Sequence, residues 1–170
     1  MSPEKELILE NLNYFLAIVT LIGFVVVVLW ILDLLAVKLK IWSEYSSFYD
    51  LIAKYAIQLG FFATLVATVI SLYYSDYLGI LPCGLCWFQR IFIYSQVFIL
   101  GYAWYKKDNN IWGYSIILST VGLLVALYQE YLQLGYSELI PCPAIASTID
   151  CAKPTFIEYG FVTFPMMAVV

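Results

Sequence analysis

LPCGLCWFQRIFIYSQVFILGYAWYKKDNN, residues 81–110, decides how this chain folds. It opens on a proline and the pair Cys83-x-x-Cys86, then runs apolar from Phe88 to Tyr105 with Arg90 as its one charge. That run is close to the ~20 residues that cross a hydrocarbon core of ~30 Å. It closes on Lys106-Lys107-Asp108-Asn109-Asn110, a charged, Asn-rich stretch short enough only for a tight turn between antiparallel helices. The next span is therefore expected at once, at about 111–131, ending in the polar cluster Gln129, Glu130 and Gln133.

Upstream, an apolar run at about 55–74 lies between Lys54 and Asp76, and a loop without positive charge leads from Ser75 to Pro82. Residues 38–54 read as a polar connection bearing Lys38, Lys40 and Lys54. Before it, Tyr14 to Val37 is apolar except for Asp33. A signal peptide needs a basic start and a small-residue cleavage site. Here Glu4, Lys5, Glu6 and Glu10 make the preceding region acidic and no such site closes the run, so the segment reads as a retained span. Downstream, a longer loop at roughly 134–160 carries Cys142 and Cys151, and from Phe161 the chain turns apolar again up to Val170. That last run makes roughly 15 Å of helix, about half a crossing, so the fifth span is expected to be incomplete.

Composition agrees with a membrane protein. Hydrophobic residues are 64% and charged residues 12% of the 170, with a mean hydropathy of +0.89, where a soluble domain carries about 25% charged residues. A net charge of −4 argues against a nucleic-acid partner, which selects a basic face. With no histidine in the chain, imidazole acid–base catalysis and imidazole metal or haem ligation are excluded. The lysines of 38–54 and 106–107 fall in two loops on one side of an alternating topology, and positive charge marks the cytoplasmic side. Both cysteine-bearing loops then face the exoplasmic side, where disulfides form.

Two thiols at C-x-x-C spacing close a small ring, and one of them often has a depressed pKa. Cys86 immediately precedes the expected third span, and in the first turn of its helix free N–H groups and the helix dipole favour the thiolate. Arg90, the only arginine, lies four residues on and so one turn deeper on the same face. It reads either as an interfacial anchor or as a guanidinium that stabilises negative charge on Cys86 or on a bound electron acceptor. Gln89 and Gln96 are weaker candidates, since amides within spans commonly join helices. Four cysteines allow three pairings. Inert disulfides in a membrane structural or interaction protein, and a zinc site built from all four cysteines, stay open as alternatives to redox chemistry. A transport role has little support, because Asp33 and Arg90 are the main charges within the spans.

Leu81-Pro-Cys-Gly-Leu-Cys-Trp-Phe-Gln-Arg90, Ile140-Pro-Cys-Pro through Asp150-Cys151, and Tyr159-Gly-Phe-Val-Thr-Phe-Pro165 together resemble the DsbB family of disulfide-bond formation proteins, in particular its four-cysteine Gram-positive-type members. The vitamin K epoxide reductase family also joins a membrane C-x-x-C to a loop pair, but in the reverse chain order. The resemblance implies an all-α integral membrane bundle with a four-helix core in residues 55–170. Residues 1–54 would add one N-terminal transmembrane helix outside the family pattern. It further implies a multi-pass protein of the cell membrane that passes electrons from a soluble DsbA-like thioredoxin-fold protein to membrane quinone, ubiquinone or menaquinone. In that scheme Arg90 and Cys86 hold and reduce the quinone, and Cys83 exchanges disulfides with the loop pair. Cys142 meets the soluble partner, and Cys151 is its mate.

Overall fold

The computed structural model describes residues 3–39, 47–137, 150–153, 157 and 162–169. Every regular element among them is helical: α1 Pro3–Lys38, α2 Ser47–Leu72 continued by a π-helical turn Tyr73–Tyr77, α3 Gly84–Lys106, a 3-10 turn Asn109–Ile111, α4 Trp112–Gln133 and α5 Phe164–Val169. The chain divides into two compact units, Met1–Ala56 and Ile57–Val169.

In the first unit, α1 carries large apolar side chains on nearly every side. Ile22, Val25, Leu29 and Leu32 are all at least half exposed. A helix apolar all round is suited to a hydrocarbon surrounding and not to water. The stretch Glu4–Ala36 is long and apolar enough to cross a membrane, as are Lys54–Tyr77 and Trp112–Gln133. α3 covers the expected third span, but it is not among these stretches, because Gln89, Arg90, Ser95 and Gln96 dilute it.

The second unit is also apolar outward: Phe98 on α3 and Ile117 on α4 are more than 60% exposed. Its polar groups turn inward or onto their own backbone. The hydroxyls of Thr64, Ser95 and Thr120 donate to the carbonyls of Gly60, Ile91 and Ile116. Without water in the bilayer core, such internal bonds are how a polar group avoids being orphaned. α3 is clamped to α4 by buried Gln96, whose Nε2 donates to the Ser115 carbonyl and to Ser119 Oγ, both at 2.9 Å. Its Oε1 accepts from Ser115 Oγ at 2.9 Å. Gly101 lets α2 approach α3, since a Cβ there would lie 2.9 Å from the Phe61 ring.

The tight turn expected at 106–110 is present. Lys107 takes a left-handed conformation, φ 54°, and the Asp108 N–H closes back on the Ala103 carbonyl at 3.0 Å. This is the Schellman pattern that satisfies the last carbonyls of a helix. Asp108 then caps the 3-10 turn by accepting from the Asn110 N–H at 2.8 Å.

Several boundaries differ from the expectation, among them the start of α1 at Pro3, ahead of the apolar run expected from Tyr14. α2 begins at Ser47, inside the connection expected at 38–54, since a helix once nucleated propagates cheaply past the lipid boundary. Its other end does not stop at 74 but widens into the π-helical turn, where the Leu78 N–H reaches the Tyr73 carbonyl. Helix α3 starts at Gly84, because Cys83 caps it. In the expected run 161–170, helix α5 occupies Phe164–Val169. The ring of Phe164 meets buried Tyr74 of the π-helical turn edge to face at 5.0 Å.

Candidate functional site

Cys83 precedes α3 in an extended conformation, φ −69° and ψ 170°, and its Sγ accepts from the Cys86 N–H at 3.3 Å. A sulfur here occupies the place of a capping oxygen, meeting one of the N–H groups that the first helical turn leaves without a partner. Cys83 is buried, Cys86 half-buried, and both are free thiols. They stand ahead of the apolar run that begins at Phe88.

Across from them, α4 presents Gln129, 2% exposed. Its Nε2 donates to Cys83 Sγ and to Cys86 Sγ, each at 3.3 Å. The Oε1 end accepts from Gln89 Nε2 at 3.0 Å. The Cys86 thiol is lowered from 9.0 to about 6, first by the hydrogen bond with Cys83, then by that from Gln129, by the Cys83 backbone and by the charge of Arg90, with burial opposing. Cys83 moves the opposite way, because its thiol donates to Cys86 and burial disfavours a second negative charge. One sulfur of the pair is thus a thiolate at neutral pH and the other a thiol.

Arg90 is buried, so it is not a freely snorkelling anchor. Its Nη2 donates to the Ser71 carbonyl at 2.9 Å, near the junction of α2 with the π-helical turn. The guanidinium lies 5.2 Å from the centre of the Trp87 ring. It therefore ties α3 to α2 ahead of the π-helical turn, and its charge also bears on Cys86.

Cys151 is 1% exposed, is disulfide-bonded, and shares one buried cluster with Cys83, Leu85 and Leu132. Cys142 lies outside the described residues. The structure thus gathers Cys83, Cys86 and Cys151 at the end of α3 and α4, with Arg90 one turn deeper. Next to Gln129, Glu130 Oε2 accepts from Thr163 Oγ1 at 2.6 Å, and Thr163 Oγ1 in turn accepts from the Met166 N–H at the head of α5. Below Gln89, a cavity of about 140 Å³ is bordered by Thr64, Phe92, Gln96, Ser119 and Gly122. Gln96 proves to be a helix clamp. Gln129 is the residue that reading the sequence missed, although its place at the cysteine-bearing end of a span was a usable signal.

Residues 53–170 match the family described as disulfide bond formation protein DsbB. The chain belongs to this family. It is 40% identical over 112 residues to the SPbeta prophage-derived disulfide bond formation protein B of Bacillus subtilis (strain 168), covering 66% of this chain and 74% of that one. It is 35% identical over 117 residues to the probable disulfide formation protein C 1 of Bacillus anthracis, covering 69% and 84%. A third relative, the disulfide bond formation protein C of Bacillus subtilis (strain 168), is 33% identical over 108 residues, 62% of this chain and 76% of its own length. No solved structure matches. This DsbB-family protein is accordingly a helical membrane protein of disulfide formation, a protein-disulfide oxidoreductase.

Proposed function

We propose that the chain makes disulfides for a soluble thioredoxin-fold, DsbA-like partner and delivers the electrons to membrane quinone. The observation that carries this reading is the unequal pair at the head of α3: a half-buried Cys86 lowered to about 6 beside a protonated Cys83, with a disulfide-bonded Cys151 in the same cluster. Exchange requires a thiolate and a reachable sulfur. Cys86 is the thiolate that gives electrons to the quinone, Cys83 closes the ring with it and is the sulfur that a reduced loop cysteine attacks, and Cys151 lies in the same cluster as Cys83. Cys142, the mate of Cys151, is the sulfur that the soluble partner attacks. A zinc site built from all four cysteines would need Cys151 as a thiolate, whereas it is bound in a disulfide.

The residues present suit a quinone head. Its carbonyls call for donors, and Arg90 has five N–H donors, of which Nη2 meets Ser71. Its ring calls for apolar surface, which Trp87 and the lipid-facing side of α3 supply. When bound, a quinone accepts two electrons and two protons. Arg90 holds positive charge beside the site, Cys86 presents its sulfur there, and the packed cluster of Leu85, Leu132 and Cys151 keeps water from the sulfurs. The cysteine loops face the exoplasmic side, residues 55–170 carry the activity, and residues 1–54 add a membrane helix to it.

The test is oxidation of a reduced thioredoxin-fold dithiol by the full-length protein in detergent, with quinone consumption followed in parallel. One quinone is expected to be reduced per disulfide formed. Cys83→Ser and Cys86→Ser should each lower the rate by more than about 10³-fold, since removing a nucleophile leaves no alternative route. Unchanged turnover in either variant sinks the proposal.

A further inference from the structure

Gln129 stands 3.3 Å from each sulfur of the Cys83–Cys86 pair. An amide has donors at one end and an acceptor at the other. Nε2 is the nearer end to both sulfurs, Oε1 lying 3.8 Å from Cys86 Sγ, and Gln89 Nε2 donates to that Oε1 at 3.0 Å. The donor end is thus turned to both sulfurs inside a buried cluster. A neutral thiol or disulfide sulfur accepts weakly, while a negative sulfur accepts a charge-assisted bond about twice as strong as a neutral one. The arrangement fits a pair that carries negative charge.

The charged groups around the pair come from several elements. Arg90 lies on α3, one turn deeper. Glu130 on α4 has its carboxylate engaged by Thr163 at the head of α5. Asp150, beside Cys151, accepts from the Ala152 N–H. Gln129 is the group that donates to both sulfurs.

We infer that Gln129 is a catalytic residue of the pair: its amide donates to whichever of the two sulfurs carries negative charge during thiol–disulfide exchange, and Gln89 is the positioning residue that keeps the amide in that orientation. The inference rests on the Cys83–Cys86 pair being the redox centre proposed above. In an exchange step the attacking thiolate loses its charge as the new S–S bond forms, and the sulfur of the broken bond gains it. No net electron is added or lost. A donor at equal distance from both sulfurs follows the charge without a change of rotamer, so it stabilises attack and departure alike.

The test is the pH dependence of Cys86 alkylation by iodoacetamide in the reduced full-length protein, read peptide by peptide with mass spectrometry. Gln129→Glu sets an acceptor against the sulfurs and should raise the Cys86 midpoint by at least about one pH unit, tenfold in the thiolate equilibrium. Gln129→Leu removes the donor and should raise it less. Gln89→Leu leaves Gln129 in place but unheld, and a smaller rise in the same direction is expected. If folded Gln129→Leu and Gln129→Glu keep the wild-type midpoint, the amide is only a packing group and the inference falls. Should both fail to fold, an unshifted midpoint in Gln89→Leu overturns it equally. Neither quinone nor a protein partner enters this titration, so its failure is distinct from a failure of the dithiol-oxidation assay.

Discussion

Helices α3 and α4 are joined by two glutamines at different depths, and the two serve different ends. At Gln96, donors and acceptor are engaged by Ser115 and Ser119, partners whose charge is fixed. At Gln129 the donors meet the sulfurs of Cys83 and Cys86, whose charge changes with pH and oxidation. The same side chain therefore works as a constant clamp in one place and as a charge-dependent contact in the other. An amide within a span, where burying it without partners is costly, can report chemistry only if one of its partners can change state.

The largest effect should come from pH. With Cys86 lowered to about 6, its sulfur is a thiolate above that pH and a thiol below. Its alkylation should fall by about fiftyfold from pH 6 to pH 4, approaching tenfold per pH unit well beneath the midpoint. A midpoint near the ordinary 9.0 would mean that the two glutamines do not differ as described.

Next comes Arg90→Met, which removes the guanidinium but keeps apolar bulk. It should raise the apparent KM for quinone about tenfold, the equivalent of ~1.4 kcal/mol, while exchange with the soluble dithiol changes less. Equal losses in both readouts would reduce Arg90 to a strut between α3 and the Ser71 carbonyl. Smallest at the sulfurs should be Gln96→Leu. It is expected to destabilise the bundle by about 1–2 kcal/mol, measured by thermal unfolding in detergent, while leaving the Cys86 midpoint where it was. A shifted midpoint would join the two clamps into one network.

Much of this was legible in the residues. The turn at 106–110 followed from charge and length, and the Lys107 and Asp108 geometry bears it out. The helix-end position of Cys86 followed from the apolar run beside it. The pairing of Gln129 with the sulfurs did not. It depends on the register in which α3 and α4 pack, set by contacts such as Gln96 with Ser115, and no local pattern in either helix encodes that register. The π-helical turn at Tyr73–Tyr77 escaped for a similar reason. Nothing in YYSDY alone distinguishes it from one more turn of α-helix, and its surroundings, the Phe164 ring on Tyr74 and Arg90 on Ser71, come from elsewhere in the chain.

The outward-facing apolar side chains of α3 and α4 carry a calorimetric consequence. In a soluble domain, unfolding hydrates apolar surface and raises the heat capacity, which bends the stability curve. Side chains that already rest against hydrocarbon remain there when helices separate within the bilayer, and little new surface meets water. Separation of these helices in lipid should therefore show a heat-capacity change well below the ~12–15 cal/mol/K per residue of soluble proteins. The curve loses its dome, and cold ceases to be a denaturant.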